Sequence, residues 1–322
     1  MASSPVGDVG RGPVVVVGQV GRDLVLTVDG VPAAGRATDV RERVEALGGK
    51  GATQARACRQ LGVDVALLGV VGDDDAGRRV LVEAHQAGLD VSGVVTRAGA
   101  RTALLVDVVG PPGERRLLEH VEPPVLLSAD DVRAATPLLQ AADAVLLQLQ
   151  QPADAVRAAL DAVAGRDVLV VADGAPPDDA LRDALLAAGA VLRADADEAG
   201  ALTGRPVEGV SDAVPAARDL VRRGARVVAL AAGSAGDVVA WAGGHVVTPL
   251  LGVDPVDPTG AGDSTVAALA VALLTGRSPE EAAWWAAVAA RRAVGHAGGR
   301  PDLDRDAVAA EAARAGRLPY GA

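Results

Sequence analysis

Val256-Asp257-Pro258-Thr259-Gly260-Ala261-Gly262-Asp263-Ser264 leads directly into Thr265 to Leu274, a run almost wholly apolar and built of helix formers. Two glycines and a small alanine let the backbone turn tightly, so the last peptide N–H groups of the turn arrive at the open end of a helix. Such an end carries unsatisfied donors and the positive pole of the helix dipole, and it draws phosphate or a developing anion. Asp263 stands in the first turn, where a carboxylate is comfortable and can also meet a substrate hydroxyl. An anion hole beside a carboxylate is what phosphoryl transfer to an alcohol requires. A plain helix start with an acidic cap fits the local pattern too, so the rest of the chain has to decide.

Working outward, Val14 to Val17 is a continuous β-branched run ending in Gly18, the pattern of a strand buried on both faces. From Gly48 onward strand and helix patterns alternate, with strands expected at 65–71, 91–96, 144–149, 168–172, 190–192 and 227–231. Helices are expected between them, including one opened by Gly48 to Ala55 and running to Leu61, and 76–87, 129–140 and 263–274. Alternation of this kind implies a mostly parallel sheet covered by helices, with sites at the carboxyl ends of strands. Two segments break it. Leu24 to Val28 with the ambiguous Thr38 to Leu47 (half-exposed strand or helix), and the hairpin pattern 102–109 with 115–121, point to a small inserted β lid.

Composition sets the outer limits. The chain has 322 residues, half of them hydrophobic, and a formal charge of −11, which argues against nucleic acid as a general partner. A single Cys58 forms no internal disulfide, the first residues lack a secretory pattern, and the apolar runs are short for a bilayer. A soluble cytoplasmic protein without a membrane partner is expected. Phe, Ile and Asn are absent, and Lys50 is the single lysine in a Lys+Arg total of 31, a drift toward arginine that makes one retained lysine notable.

Neither a P-loop nor a dinucleotide fingerprint is present. Gly48-Gly49-Lys50-Gly51-Ala52-Thr53-Gln54-Ala55 is a second glycine-rich entry to a helix, with the Lys50 charge beside it. Asp195-Ala196-Asp197-Glu198 is either a helix cap or a carboxylate cluster holding Mg²⁺ through waters. Gly233-Ser234-Ala235-Gly236 either lets a nucleotide approach backbone or simply turns a hairpin. The histidines have no metal spacing, and Trp284 with Trp285 reads as packing.

Taken jointly, these elements resemble the ribokinase (phosphofructokinase-B-like) family of carbohydrate kinases, whose motifs appear in the same order from about Val14 to Pro301. The family's Asp-Thr-x-Gly-Ala-Gly-Asp is matched by Asp257 to Asp263, with Pro258 for the threonine, and its Gly-Gly-Lys-Gly-Ala-Asn-Gln-Ala by Gly48 to Ala55, with Thr53 for the asparagine. The resemblance implies an α/β fold, a Rossmann-like three-layer αβα sandwich with a mostly parallel sheet plus a small β-sheet lid that often clasps a second subunit. The main domain would be 14–20, 48–98 and 122–322, the lid 21–47 and 99–121, and 1–13 a disordered lead. Asp263 would be the general base, and Gly260, Ala261 and Gly262 the anion hole. Asp23, Gly49, Lys50, Thr53 and Gln150 would face the sugar. Asp195, Gly233, Ser234, Gly236 and Gly262 would border ATP, Glu198 would hold Mg²⁺ through water, and Asp257, Thr259 and Gly298 would match a monovalent-cation site, K⁺ being expected.

Departures from the family pattern fall on Gly21 and Thr53, where the family carries asparagine, on Gln150 for glutamate, and on Asp195 for asparagine. Each changes a donor or acceptor, and mismatched polar groups in a site discriminate strongly. The expected activity is ATP-dependent phosphorylation of a primary sugar hydroxyl, with ribose leading and fructose, 2-keto-3-deoxygluconate or a nucleoside as alternatives. A non-catalytic sugar or nucleotide sensor and a dinucleotide oxidoreductase are the competing classes.

Overall fold

The computed structural model describes residues 12–111, 115–252, 259–295 and 302–317. The chain is tied in from Gly12, whose N–H donates to Asp143 at 2.7 Å; the remainder of the expected lead, 1–11, lies outside the described residues.

β1 (Val14–Val17) shows why the strands form. Val14 and Val16 enter one hydrophobic cluster, Val15 and Val17 another, so this all-valine strand is covered on both faces. After β1 the chain makes β2 (Gly21–Val28) and β3 (Val40–Gly48), then α1 (Lys50–Gln60), β4 (Val65–Gly72), α2 (Asp75–Gln86) and β5 (Asp90–Arg97). Next come β6 (Ala103–Val109), β7 (Arg115–His120), α3 (Ala129–Ala134), α4 (Thr136–Gln140), β8 (Ala144–Gln148), α5 (Ala153–Val163) and β9 (Leu169–Asp173). The chain continues with α6 (Asp179–Ala187), β10 (Val191–Ala194), α7 (Ala196–Thr203), α8 (Val210–Arg222), β11 (Val227–Ala231), β12 (Asp237–Trp241) and β13 (Gly244–Thr248). It closes with α9 (Ala261–Leu274), α10 (Pro279–Val294) and α11 (Arg305–Ala315).

Among the described residues the main sheet is nine-stranded, in the order β13-β12-β11-β10-β9-β8-β1-β4-β5. Every pair from β5 to β11 is parallel, and β12 and β13 extend it antiparallel. β1 has β4 on one side and β8 on the other, so the strand order reverses there and opens a crevice at the carboxyl edge. α9 packs against α1 and α10 as a nearly all-apolar helix, with Ser264 through Ala272 buried. Each of Val266, Leu269 and Val271 contributes about 1.5–3 kcal/mol by that burial.

A second sheet, in the order β3-β2-β6-β7, is the separate small sheet expected of the lid. The ambiguous 38–47 segment resolves as an edge strand, β3, whose register on β2 sets Val44 opposite Val25, with Arg41, Glu42 and Arg43 exposed and Glu45 half-buried against Arg22. The helix expected over 129–140 is two short ones. Pro137 cannot donate within a continuing helix and clashes with the preceding turn, so the chain breaks at Ala135 and restarts with the proline in its first turn. Among the described residues no helix is long and apolar enough to cross a membrane.

Candidate active site

The carboxyl edge of the main sheet and the lid enclose a cavity of about 390 Å³. Asp23 from β2 lines it together with Gly49, Lys50 and Thr53 at the start of α1. Thr259 through Asp263 and Asp195 also line it, and the lid adds Leu105 and Asp107 from β6 with Arg115 from β7. Most sequence-predicted residues therefore meet in one space. Gln150, Glu198, Gly233, Ser234 and Gly236 do not line this cavity, and Asp257 and Gly298 lie outside the described residues.

Two helix starts face the cavity, and each depends on one glycine. Gly260 caps α9 at φ 72°, a left-handed conformation that costs glycine little, and this aims the first free N–H groups of α9 at the cavity. Gly49 caps α1 at φ 85° and packs against the backbone of Gln19 and Gly21. Asp23 lies over Gly48, where a Cβ would overlap its carboxylate. The Thr53 hydroxyl donates to the Gly49 carbonyl at 3.1 Å.

Asp263 is joined through Gln54, part of the Gly48–Ala55 run, to Asp173 and Arg193, which local sequence patterns did not single out. Gln54, fully buried, donates through Nε2 to Asp263 Oδ1 at 3.0 Å and to Asp173 Oδ2 at 2.8 Å. Arg193 Nη1 donates to the other oxygen of Asp173 at 3.1 Å. Burial, then the neighbouring Asp173 charge, push the Asp263 carboxyl up to about 7, so it is poised between acid and base at neutral pH. Lys50 stands 3.6 Å from Glu198 Oε1. Burial works against its charge, but Asp173, Glu198 and Asp263 outweigh that and its pKa is raised.

Asp195 and Glu198 form a reciprocal capping box at the start of α7, each carboxylate accepting the other's backbone N–H at 3.0 and 2.9 Å. Burial raises the pKa of Glu198. The helix-cap reading of this motif is the one that the geometry meets. One oxygen of each carboxylate is engaged in the cap, and among the described residues no group of three or more acidic, histidine or cysteine side chains could bind an ion directly. That donor set fits a magnesium ion whose ligands are mostly water and phosphate oxygens, reached from Glu198 and Asp195 through water.

Gln150 is exposed and accepts from Gln148 Nε2 at 2.8 Å, while Gln148 Oε1 holds the Gln19 N–H. Gly233 to Gly236 forms a tight turn after β11, the strand beside β10. Gly236 sits at φ 103° with the Thr248 carbonyl only 2.0 Å from where a Cβ would be, so the turn itself demands that glycine. The missed residues had one signal. Arg193 is a charged side chain inside an apolar strand, and Asp173 ends one, both unusual unless paired or functional.

Residues 12–306 match the pfkB family carbohydrate kinases. The chain belongs to that family. A ribokinase from Haemophilus influenzae is 29% identical over 272 residues, covering 84% of this chain and 89% of the relative. The ATP-dependent ribose-1-phosphate kinase of Halopiger xanaduensis is 31% identical over 297 residues, covering 92% and 97%. Among solved structures, Arabidopsis thaliana ribokinase complexed with ribose and ATP superposes with a TM-score of 0.77 at 26% identity, over 96% of this chain and 99% of that one. As a pfkB-family carbohydrate kinase the protein is a phosphotransferase with a sugar hydroxyl as acceptor, and its two-sheet architecture is the ribokinase-like one.

Proposed function

We propose that this pfkB-family kinase transfers the γ-phosphoryl group of ATP to a primary hydroxyl of ribose, giving ribose 5-phosphate. The observation that carries the reading is Asp263, held near neutrality beside the open N-terminus of α9 in a cavity shared with Asp23 and Lys50. Asp263 takes the proton of the attacking hydroxyl. The N–H groups at Gly260, Ala261 and Gly262 receive the charge on the moving phosphoryl group. Asp23, Gly49, Lys50 and Thr53 hold the sugar, with Gln150 reaching it only after a side-chain rearrangement. Gly233, Ser234 and Gly236 border the nucleotide from the β11 turn. Magnesium, when bound through water by Glu198 and Asp195, supplies charge neutralisation on the phosphates. Thr259 with Asp257 and Gly298 would form the potassium site. The reading places the protein in the cytoplasm, where ATP and a reduced Cys58 belong, as a homodimer joined through the lid.

A phosphorylated pentose is the second reading, favoured by the relative that acts on ribose 1-phosphate and by Arg115 on the cavity wall. The test is coupled ADP release with MgATP and KCl on ribose, ribose 1-phosphate, fructose, 2-keto-3-deoxygluconate and nucleosides. Turnover of ribose that falls by about 10²–10⁴ in Asp263→Asn, with sugar binding retained, is expected. Sugar binding without turnover by the wild-type protein would move the assignment to a sensor.

A further inference from the structure

β10 reads Val191-Leu192-Arg193-Ala194, and Arg193 is its one charged residue. The side chain is only 15% exposed, with Nη1 at 3.1 Å from Asp173 Oδ1 and 3.8 Å from Glu198 Oε2. The guanidinium lies across Gly262, where a Cβ would stand 2.8 Å from Nη2 and 2.9 Å from Nη1. Gly262 is not among the left-handed glycines, so backbone freedom does not explain it; room for the guanidinium does. Burying an ion pair stabilises a fold no better than apolar packing of the same volume. A guanidinium kept in that position, reaching the cavity wall at the mouth of α9, calls for a use other than stability.

We propose that Arg193 is a catalytic residue of the phosphoryl transfer, a built-in guanidinium that hydrogen-bonds the transferring group at the Gly260–Gly262 turn. The proposal rests on the kinase reading. In the transfer the acceptor hydroxyl gives its proton to Asp263 and its oxygen bonds the γ-phosphorus. The bond from that phosphorus to the bridging oxygen breaks, and its electron pair leaves with ADP. Arg193 makes and breaks no covalent bond; Nη2 receives the charge spread over the equatorial oxygens, the task an arginine finger performs in other phosphotransferases. Asp173 is its positioning residue. Through Gln54, Asp173 also fixes Asp263, so the group that takes the proton and the group that meets the phosphoryl charge share one anchor.

The test compares full-length wild type, Asp173→Asn, Arg193→Met/Asp173→Asn and Arg193→Lys with MgATP and ribose, above the pH at which Asp263 is ionised. Wild-type turnover on ribose checks the kinase reading on its own. Given that turnover, the double variant is expected to lose kcat by about 10²–10³ relative to Asp173→Asn, with the Kd of MgADP unchanged. Its affinity for MgADP with aluminium fluoride, which mimics the phosphoryl in transit, should fall by a comparable factor. Arg193→Lys keeps the buried charge pair and covers the case in which the double variant does not fold; it should lose kcat by about tenfold, its ammonium being shorter and unable to bridge two oxygens. A kcat within threefold of its control in either folded variant, or a kcat loss matched by an equal loss of MgADP affinity, overturns the proposal.

Discussion

The ionisation of Asp263 sets two opposite pH dependences. Only its carboxylate accepts a proton, so kcat/KM for the sugar should rise with unit slope on the acid side and level off above about 7. Its stability contribution runs the other way. The folded-state value is raised, so the contribution is complete below the ordinary value of 3.8 and is lost as pH rises through about 7. The loss amounts to roughly 4 kcal/mol at most. The cavity holds that strain because the ionised base is the form it uses. Asp173, Gln54, Lys50 and Arg193 all face this carboxyl, and among the charged ones Asp173 is the one that raises it. Asp173→Asn should therefore move the acid limb of the rate profile to lower pH. The same substitution takes the nearest anion from the buried Arg193 and leaves it Glu198 at 3.8 Å, a loss of up to about 3–5 kcal/mol that is expected to exceed the relief at Asp263. A thermal midpoint that falls while the pH limb shifts downward checks both signs; a limb that stays in place would mean another group titrates.

At the level of elements, α9 is where packing and chemistry meet. Its body was legible in sequence as an unbroken apolar run, and its start as a glycine turn with an acid in place. The strands were equally legible, because valine runs such as β1 have few alternatives, and the order of strands and helices then dictated the parallel sheet. The chain from Arg193 through Asp173 and Gln54 to Asp263 was not, because it joins residues up to 209 positions apart and no local period records such a contact. Likewise the helix-like spacing of 129–140 hid the break that Pro137 imposes. Gly262→Ala tests the meeting point within α9. Alanine is the better helix former by about 1 kcal/mol, while a methyl at 2.8 Å from Nη2 must displace a guanidinium anchored on Asp173, at about 1–3 kcal/mol. Stability should change little, falling by no more than about 2 kcal/mol, while kcat drops by roughly tenfold or more. Full activity in this variant would show that the contact is packing alone.

For the molecule as a whole, the lid sheet is where apolar side chains are left toward water. One of its faces carries the buried Val25, Leu105 and Asp107 and closes on the cavity. The register sets Leu24 beside Val106 and Val106 beside Leu118, and these, with Leu26, Leu104 and Val108, make an apolar stripe on the opposite face. The stripe is half-buried at best, and Leu118 is 58% exposed. Both outer strands, β3 and β7, are edges as well. A twisted sheet of four strands with an apolar face toward water is an association surface unless something covers it, and a second lid packed face to face is complementary by symmetry. Sedimentation should accordingly give a dimer rather than the 32.1 kDa of one chain. Leu118→Glu places a charge at the exposed β7 end of the stripe and should yield monomers. Because β2 also carries Asp23 into the cavity, loosening the lid should raise KM for the sugar several-fold while KM for ATP stays near its wild-type value. A wild-type protein that sediments as a monomer at micromolar concentration would remove the lid from the assembly and leave its apolar face to another partner.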